Sequence, residues 1–207
     1  LCFHYFIMVK TEHLSKSISY PEYLQLLEKL MAGGKTTGLN RSEEYLGYTK
    51  INLQRMRRLD KTIILNDELK SKLAQVKKQF IWLVITEGWC GDASQNIPVL
   101  YTITKQCPNI QLKLVLRDEN TELINRYHTN GSASIPKLIC LEKNSLKEIF
   151  VWGPRPKILQ DLVMELKSKN VSKEEKGLIT QKWYNNDKTQ SVQKEFLLLL
   201  NEFLTLN

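Results

Sequence analysis

The chain has 207 residues, 42% of them hydrophobic and 25% charged, the balance of a folded globular protein able to bury a core without staples. Thirty Lys and Arg against 22 Asp and Glu leave a formal charge of +8, which excludes an acidic polyanion mimic and keeps anionic partners open. Four cysteines, at 2, 90, 107 and 140 with no Cys-x-x-Cys pair, exclude a disulfide scaffold and a zinc ribbon.

In chain order, Leu1 to Val9 are apolar or aromatic apart from His4. They have no basic leading region and no small-residue cleavage site, and they fall short of the roughly 20 residues of a membrane span. Met8 is a candidate initiator; on that reading residues 1–7, Cys2 included, are not native. No later segment reaches membrane length either, so the cytoplasm is the expected setting and no membrane partner is expected.

Residues 1–78 read as a helical N-terminal extension, helical from about 15. Ser19-Tyr20-Pro21-Glu22 has the form of a capping box with proline in the first turn, and Leu24, Leu27 and Leu30 share one helix face. Gly33-Gly34 stops that helix. Ser42 caps a second one running through Leu46, Leu53 and Met56, and Asn66 caps a third with Asp67 and Glu68 in its first turn.

Residues 79–170 change character. Phe80 to Thr86 is a continuous β-branched and aromatic run, as expected of a buried strand, and Leu112-Lys113-Leu114-Val115-Leu116 is a second strand-like run interrupted only by Lys113. Helix patterns lie at about 93–106 and 119–128. Lys137–Leu141 and Glu148–Trp152 pair as strands across the polar turn from Glu142 to Ser145, and a helix follows from Pro156 to Lys169. The order β-α-β-α-β-β-α predicts an α/β fold, a mixed sheet flanked by helices. Residues 171–207 read as a helical C-terminal extension of two helices, broken near Asn185-Asn186-Asp187, with Thr189 as the second cap. From Phe196 to Leu206 the pattern is apolar nearly all round, which calls for packing on the body or in a homo-oligomer.

Cys90, in Thr86-Glu87-Gly88-Trp89-Cys90-Gly91-Asp92-Ala93, falls where the first strand ends and a helix begins. Free backbone N–H groups and the positive helix end favour thiolate there, and such sites lower a cysteine pKa from about 8.5 to between roughly 3.5 and 7.5. Trp89 is expected to shield the sulfur, and Gly91 to admit a partner backbone.

Trp89-Cys90-Gly91-Asp92-Ala93 resembles the Trp-Cys-Gly-Pro-Cys motif of thioredoxins. Ser134-Ile135-Pro136 resembles their Ile-Pro, whose cis proline faces the reactive sulfur. Asp118-Glu119-Asn120 with Tyr127 resembles the segment leading into that proline, and Gly153 the glycine bordering the substrate groove. With Leu116-Arg117-Asp118-Glu119-Asn120 and Trp152-Gly153-Pro154-Arg155, the chain is similar to a bacterial group known as thioredoxin family proteins, which also carries a helical N-terminal extension. The resemblance covers about 79–170. It implies a thioredoxin-like fold and a groove formed by Trp89, Gly91, Asp92, Ala93, Ile135, Pro136, Gly153 and Arg155 around Cys90.

The departures shape the mechanism. Ala93 replaces the second cysteine, so fast internal resolution of a mixed disulfide is lost. Asp92 replaces the proline, with a charge that suits the helix end and opposes a thiolate. Val84 stands where thioredoxins keep a buried aspartate, and Glu87 is the nearest carboxylate before the cysteine. The expected activity is monothiol exchange through Cys90 with protein or low-molecular-weight thiols and disulfides, an external thiol resolving the intermediate and no metal or other cofactor taking part. The alternative is a redox-inactive binding module using the groove around Trp89 and Pro136. A peroxidase has less support, because no peroxide-pocket motif surrounds Cys90.

Other signals read as structural. Cys107 and Cys140 are taken as packing residues, and Arg117 and Asp118 as strand-end contacts. Arg155 either attracts a carboxylate of a small thiol or is solvated. Gly34-Lys35-Thr36 lacks the upstream glycine of a phosphate loop, Lys29 standing in its place. Arg55, Arg57, Arg58 and the lysines from Lys70 to Lys78 lie on helices without an aromatic platform, and are read as solvated faces with no nucleic-acid partner. His4, His13 and His128 show no metal-ligand spacing.

Overall fold

A computed structural model describes residues 9–204, so the expectations for Cys2, His4, Met8 and the last three residues lie outside the described part. Four helices come first: α1 (Thr11–Ser15), α2 (Tyr20–Ala32), α3 (Glu43–Thr62) and α4 (Asp67–Leu73). The capping residues are those the sequence offers. Ser19 and Glu22 form a reciprocal capping box, while Ser42 and Asn66 accept from the backbone N–H of Tyr45 and Leu69.

A mixed sheet follows, built from β1 (Phe80–Thr86), β2 (Ile110–Leu116), β3 (Lys137–Glu142) and β4 (Glu148–Trp152) in the order β2-β1-β3-β4. β1 runs parallel to β2 and antiparallel to β3, and β4 pairs antiparallel with β3. All seven residues of β1 are buried, as the apolar run requires of a strand covered on both faces. Between the strands lie α5 (Gly91–Gln106) and α6 (Thr121–Ile124), and after them α7 (Lys157–Ser168), α8 (Lys173–Asp187) and α9 (Gln190–Leu204). The arrangement is a thioredoxin-like α/β sheet flanked by helices.

One element departs from expectation. The helix pattern at 119–128 yields only the four residues of α6. Beyond it the chain turns, because the buried Tyr127 sends its hydroxyl to Glu148 Oε2 at 2.7 Å, and Thr129 pairs with Ser132 around Asn130 and Gly131, both at positive φ. The apolar stripe of α9 packs on the body. Phe196 lies 4.9 Å from the Trp82 ring and 5.2 Å from that of Trp152, and Leu197 and Leu200 are buried with it. Each such side chain contributes about 1.5–3 kcal/mol when fully buried. N-terminal helices, sheet and α9 share one hydrophobic core, in which Leu27, Leu53, Leu83 and Phe196 all take part.

Among the described residues, no helix is long and apolar enough to cross a membrane.

Candidate active site

β1 ends at Thr86, and a tight turn delivers Cys90 to the N-cap position of α5. The turn is clamped at Gly88, whose N–H donates to Thr37 Oγ1 at 2.8 Å and whose carbonyl accepts from Asn52 Nδ2 at 3.0 Å. A Cβ at residue 88 would stand 2.5 Å from Leu27 Cδ2 and 3.3 Å from Thr49 Cγ2, so a side chain there would force the buried Leu27 to shift. Thr37, the residue after Gly34-Lys35-Thr36, is therefore a support beneath the cysteine turn.

The Cys90 thiol donates to the carbonyl of Ile135 at 3.2 Å, and its sulfur accepts from the Ala93 N–H at 3.5 Å. The Ile135–Pro136 peptide is cis, as is Gly153–Pro154. Gly153, at φ +102°, lies so near the proline that a Cβ would meet Pro136 O at 2.3 Å. Cys90, Ala93, Ile135, Pro136 and Gly153 thus converge across α5, β3 and β4 although they span more than sixty residues of sequence.

The thiol itself behaves differently from the expectation. Cys90 is only 8% exposed, and burial pushes its pKa up to about 12, with the Asp92 charge adding to the rise. The Ala93 N–H and Arg155 act in the opposite direction and are outweighed. A helix N-terminus contributes on the order of 1 kcal/mol, whereas desolvating a charged sulfur costs several times that. At rest the sulfur is a protonated thiol.

Asp92 is held from two sides. Arg155 Nη2 pairs with its Oδ2, and Tyr184 Oη donates to its Oδ1 at 2.8 Å. Arg155 Nη1 also donates to Gln160 at 2.8 Å, and Asn96 Nδ2 donates both to Tyr184 Oη at 3.1 Å and to Pro154 O at 3.2 Å. Arg155 is therefore neither solvated nor free for a small-thiol carboxylate, since Asp92 occupies it. Gln95 reaches Gln181 at 3.1 Å, a third tie between α5 and α8.

Trp89 is turned toward the N-terminal helices. Its ring lies 5.1 Å from that of Tyr45, with the Arg117 guanidinium 4.7 Å from its centroid. Arg117 also bonds Asp118 at 2.8 Å, and Asp118 accepts from Leu39 N at 3.0 Å, the strand-end role expected of both. Glu87 is fully buried; its Oε1 accepts the Asp118 N–H at 2.9 Å, and burial raises its pKa. It braces the strand end.

Of the five motif residues, only Gly91 is exposed. A Cβ placed there would lie 3.9 Å from Arg55 Nη1, so a residue assigned to a solvated helix face stands beside the cysteine turn. Arg55, Asn52, Thr37, Asn96 and Tyr184 are among the site residues that sequence reasoning missed. The i, i+3 spacing of Asn52 and Arg55 on α3 is their one local signal.

Cys107 and Cys140 are buried and unpaired. Cys140 faces Trp82, roughly 13 Å of strand before the end of β1, and Cys107 follows the 16 residues of α5, a helix roughly 24 Å long. Both exceed the ~7 Å Cα separation that a disulfide to Cys90 requires. Among the described residues, no group of three His, Cys, Asp or Glu side chains is placed to hold a metal.

These features can be set beside known proteins. No curated protein matches the chain. Among solved structures it is similar to a protein of unknown function from Pseudomonas aeruginosa, with 16% identity and a TM-score of 0.54 over 89% of this chain and 98% of that one. It is also similar to an HIV epitope scaffold, with 16% identity and a TM-score of 0.49 over 91% of this chain and 96% of that one. At such identity the first likeness speaks to the fold alone. A thioredoxin family model matches residues 38–170, from the loop beneath Trp89 through the sheet to the end of α7. With well over half of its length inside that match, and a cysteine capping α5 against a cis proline, the chain belongs to the thioredoxin family.

Proposed function

We propose that the chain is a monothiol exchange protein acting through Cys90, with residues 79–170 as the exchange domain between helical extensions. The observation that carries this reading is the seat of the sulfur, capping α5 and bonded to the carbonyl that precedes cis Pro136. A docked disulfide whose backbone takes up the Ile135 carbonyl releases the sulfur toward the Ala93 N–H. Cys90 then loses its proton to water and attacks one sulfur of the disulfide. The S–S bond breaks, and the departing sulfur leaves as a thiolate that takes up a proton. A second, external thiolate attacks the mixed disulfide, restores Cys90 and leaves as part of a new disulfide, so the number of disulfides is conserved. External resolution follows from Ala93 and from the distance to Cys107 and Cys140. The reading places the protein in the cytoplasm, where small thiols are abundant.

A second reading, a redox-inactive groove, draws on the raised pKa and low exposure of Cys90. Reduction of a glutathionylated peptide by glutathione separates the two. The expected result is acceleration by the native chain and none by Cys90→Ser. Equal rates with both, together with peptide binding retained by Cys90→Ser, would establish the groove reading instead.

A further inference from the structure

The mouth of the site lies between two helices. α3 brings Arg55 against Gly91, and α8 brings Tyr184 onto Asp92 and Gln181 onto Gln95. The N-terminal ends of the two helices meet where Lys173 Nζ lies 3.4 Å from Glu44 Oε1 and 5.7 Å from the Tyr48 ring. Arg55 is half-buried, and its hydrogen bond goes to Asn52 Oδ1 at 3.0 Å. No carboxylate among the described residues is within ion-pair reach of it, and Asp92, the acidic residue next to Gly91, is already held by Arg155 and Tyr184. Burial and the like charge of Arg58 both lower the Arg55 pKa. A partly desolvated guanidinium without a counter-charge is unfavourable in the empty site, and an incoming anion relieves that cost. The same two helices each carry an exposed apolar side chain. Ile51, one turn before Arg55 on the same face, is 48% exposed, and Leu178, one turn before Gln181, is 73% exposed.

We propose that Arg55 recognises the carboxylate of the disulfide exchanged at Cys90, and that the substrates are mixed or symmetrical disulfides of small acidic thiols. This rests on the exchange reading above. The carboxylate sits on the Arg55 guanidinium, the intervening methylenes lie against Ile51 and Leu178, and the disulfide reaches Cys90 past Gly91. Glycine at 91 keeps that passage free of a side chain, and Arg55 adds orientation and selectivity without taking part in bond making. The electron and proton balance is that of the exchange already described.

The test compares three disulfides of similar size in stopped-flow exchange with the native chain: dithiodipropionate, hydroxyethyl disulfide and cystamine. The expected order is acidic, then neutral, then cationic. An acidic-to-neutral rate ratio of about tenfold corresponds to one charge-assisted hydrogen bond. Arg55→Gln should bring that ratio to about one, and Arg55→Lys should retain part of it. A ratio near one in the native chain, or a ratio that survives Arg55→Gln, overturns the proposal. A second measurement is independent of exchange. Methylthiopropionate titrated into the Cys90→Ser chain should shift the Gly91 amide resonance, and Arg55→Gln should abolish the shift. That shift with no exchange of any disulfide leaves the anion site standing and removes the exchange reading. Absence of the shift removes the anion site, whatever the exchange rates.

Discussion

α3 and α8 both reach the same cysteine turn and hold different things. On the α3 side the contacts are neutral and aimed at the backbone: Asn52 takes the Gly88 carbonyl, and the loop before α3 supplies Thr37 for the Gly88 N–H. On the α8 side they are aimed at charge: Tyr184 joins Arg155 in fixing the Asp92 carboxylate beside the sulfur. One flank sets where the sulfur is, and the other sets the field it experiences. The family match spans residues 38–170, which takes in α3 and Arg155 and ends before α8 begins at Lys173.

The largest expected effect is on the sulfur. With the thiol raised from 9.0 to about 12, alkylation of native Cys90 by iodoacetamide at pH 7 should be on the order of a thousandfold slower than in the urea-unfolded chain. Native alkylation at the unfolded rate would show that the turn is open. The same shift has a stability consequence with a definite sign. Below pH 9.0 both states keep the proton and the contribution is complete; between 9.0 and about 12 only the unfolded state ionises, so stability falls across that window. Asp92→Asn removes a charge that disfavours thiolate and should move the alkylation midpoint to lower pH. Asn52→Ala should leave that midpoint much closer to the native one, and the reverse pattern would invert the roles of the two flanks.

Next in size is Arg155→Met, which strands a largely buried Asp92. A loss of ~3 kcal/mol is expected in urea unfolding, and the double variant with Asp92→Asn should recover part of it. Asn52→Ala leaves the Gly88 carbonyl unpaired in a buried turn and should cost ~2 kcal/mol, seen as a fall of roughly 4–8 °C in melting temperature. Tyr184→Phe removes one hydroxyl from a network that keeps its ion pair, so ~1 kcal/mol is expected. If Tyr184→Phe proved costlier than Asn52→Ala, the charge-fixing flank would be the main structural clamp as well.

What the sequence discloses follows interaction range. The Ser19, Ser42 and Asn66 caps, the buried run of β1 and the position of Cys90 at a strand-to-helix junction are encoded within a few residues of themselves, and all are legible. The partners of the site are encoded elsewhere in the chain. Asn52 bonds a residue 36 positions away and Tyr184 one 92 positions away, and neither carries a motif. Arg55 is hidden by its neighbours: Arg57 and Arg58 do face solvent, so the basic cluster looks uniform until α3 is placed against Gly91. The sign of the Cys90 shift fails for the same reason. The helix end is a local property, whereas the desolvation that defeats it comes from every element packed around the sulfur. Asp92 was legible in effect but not in partners, since its opposition to a thiolate is local and its pairing with Arg155 is not.

Gly91 acts on the thiol as an aperture. Because Gly91 is exposed while Cys90 and Ala93 beside it are buried, and Asp92 is tied to both Arg155 and Tyr184, access to the sulfur is restricted and its border is anchored. Reagents should then rank by girth before they rank by electrophilicity, with slim alkylating agents ahead of bulky maleimides even where intrinsic reactivity runs the other way. Cys107 and Cys140 are buried as well, so a native thiol count taken with a large dye will read low for a fully reduced chain. Oxidation state is better judged from mass after unfolding.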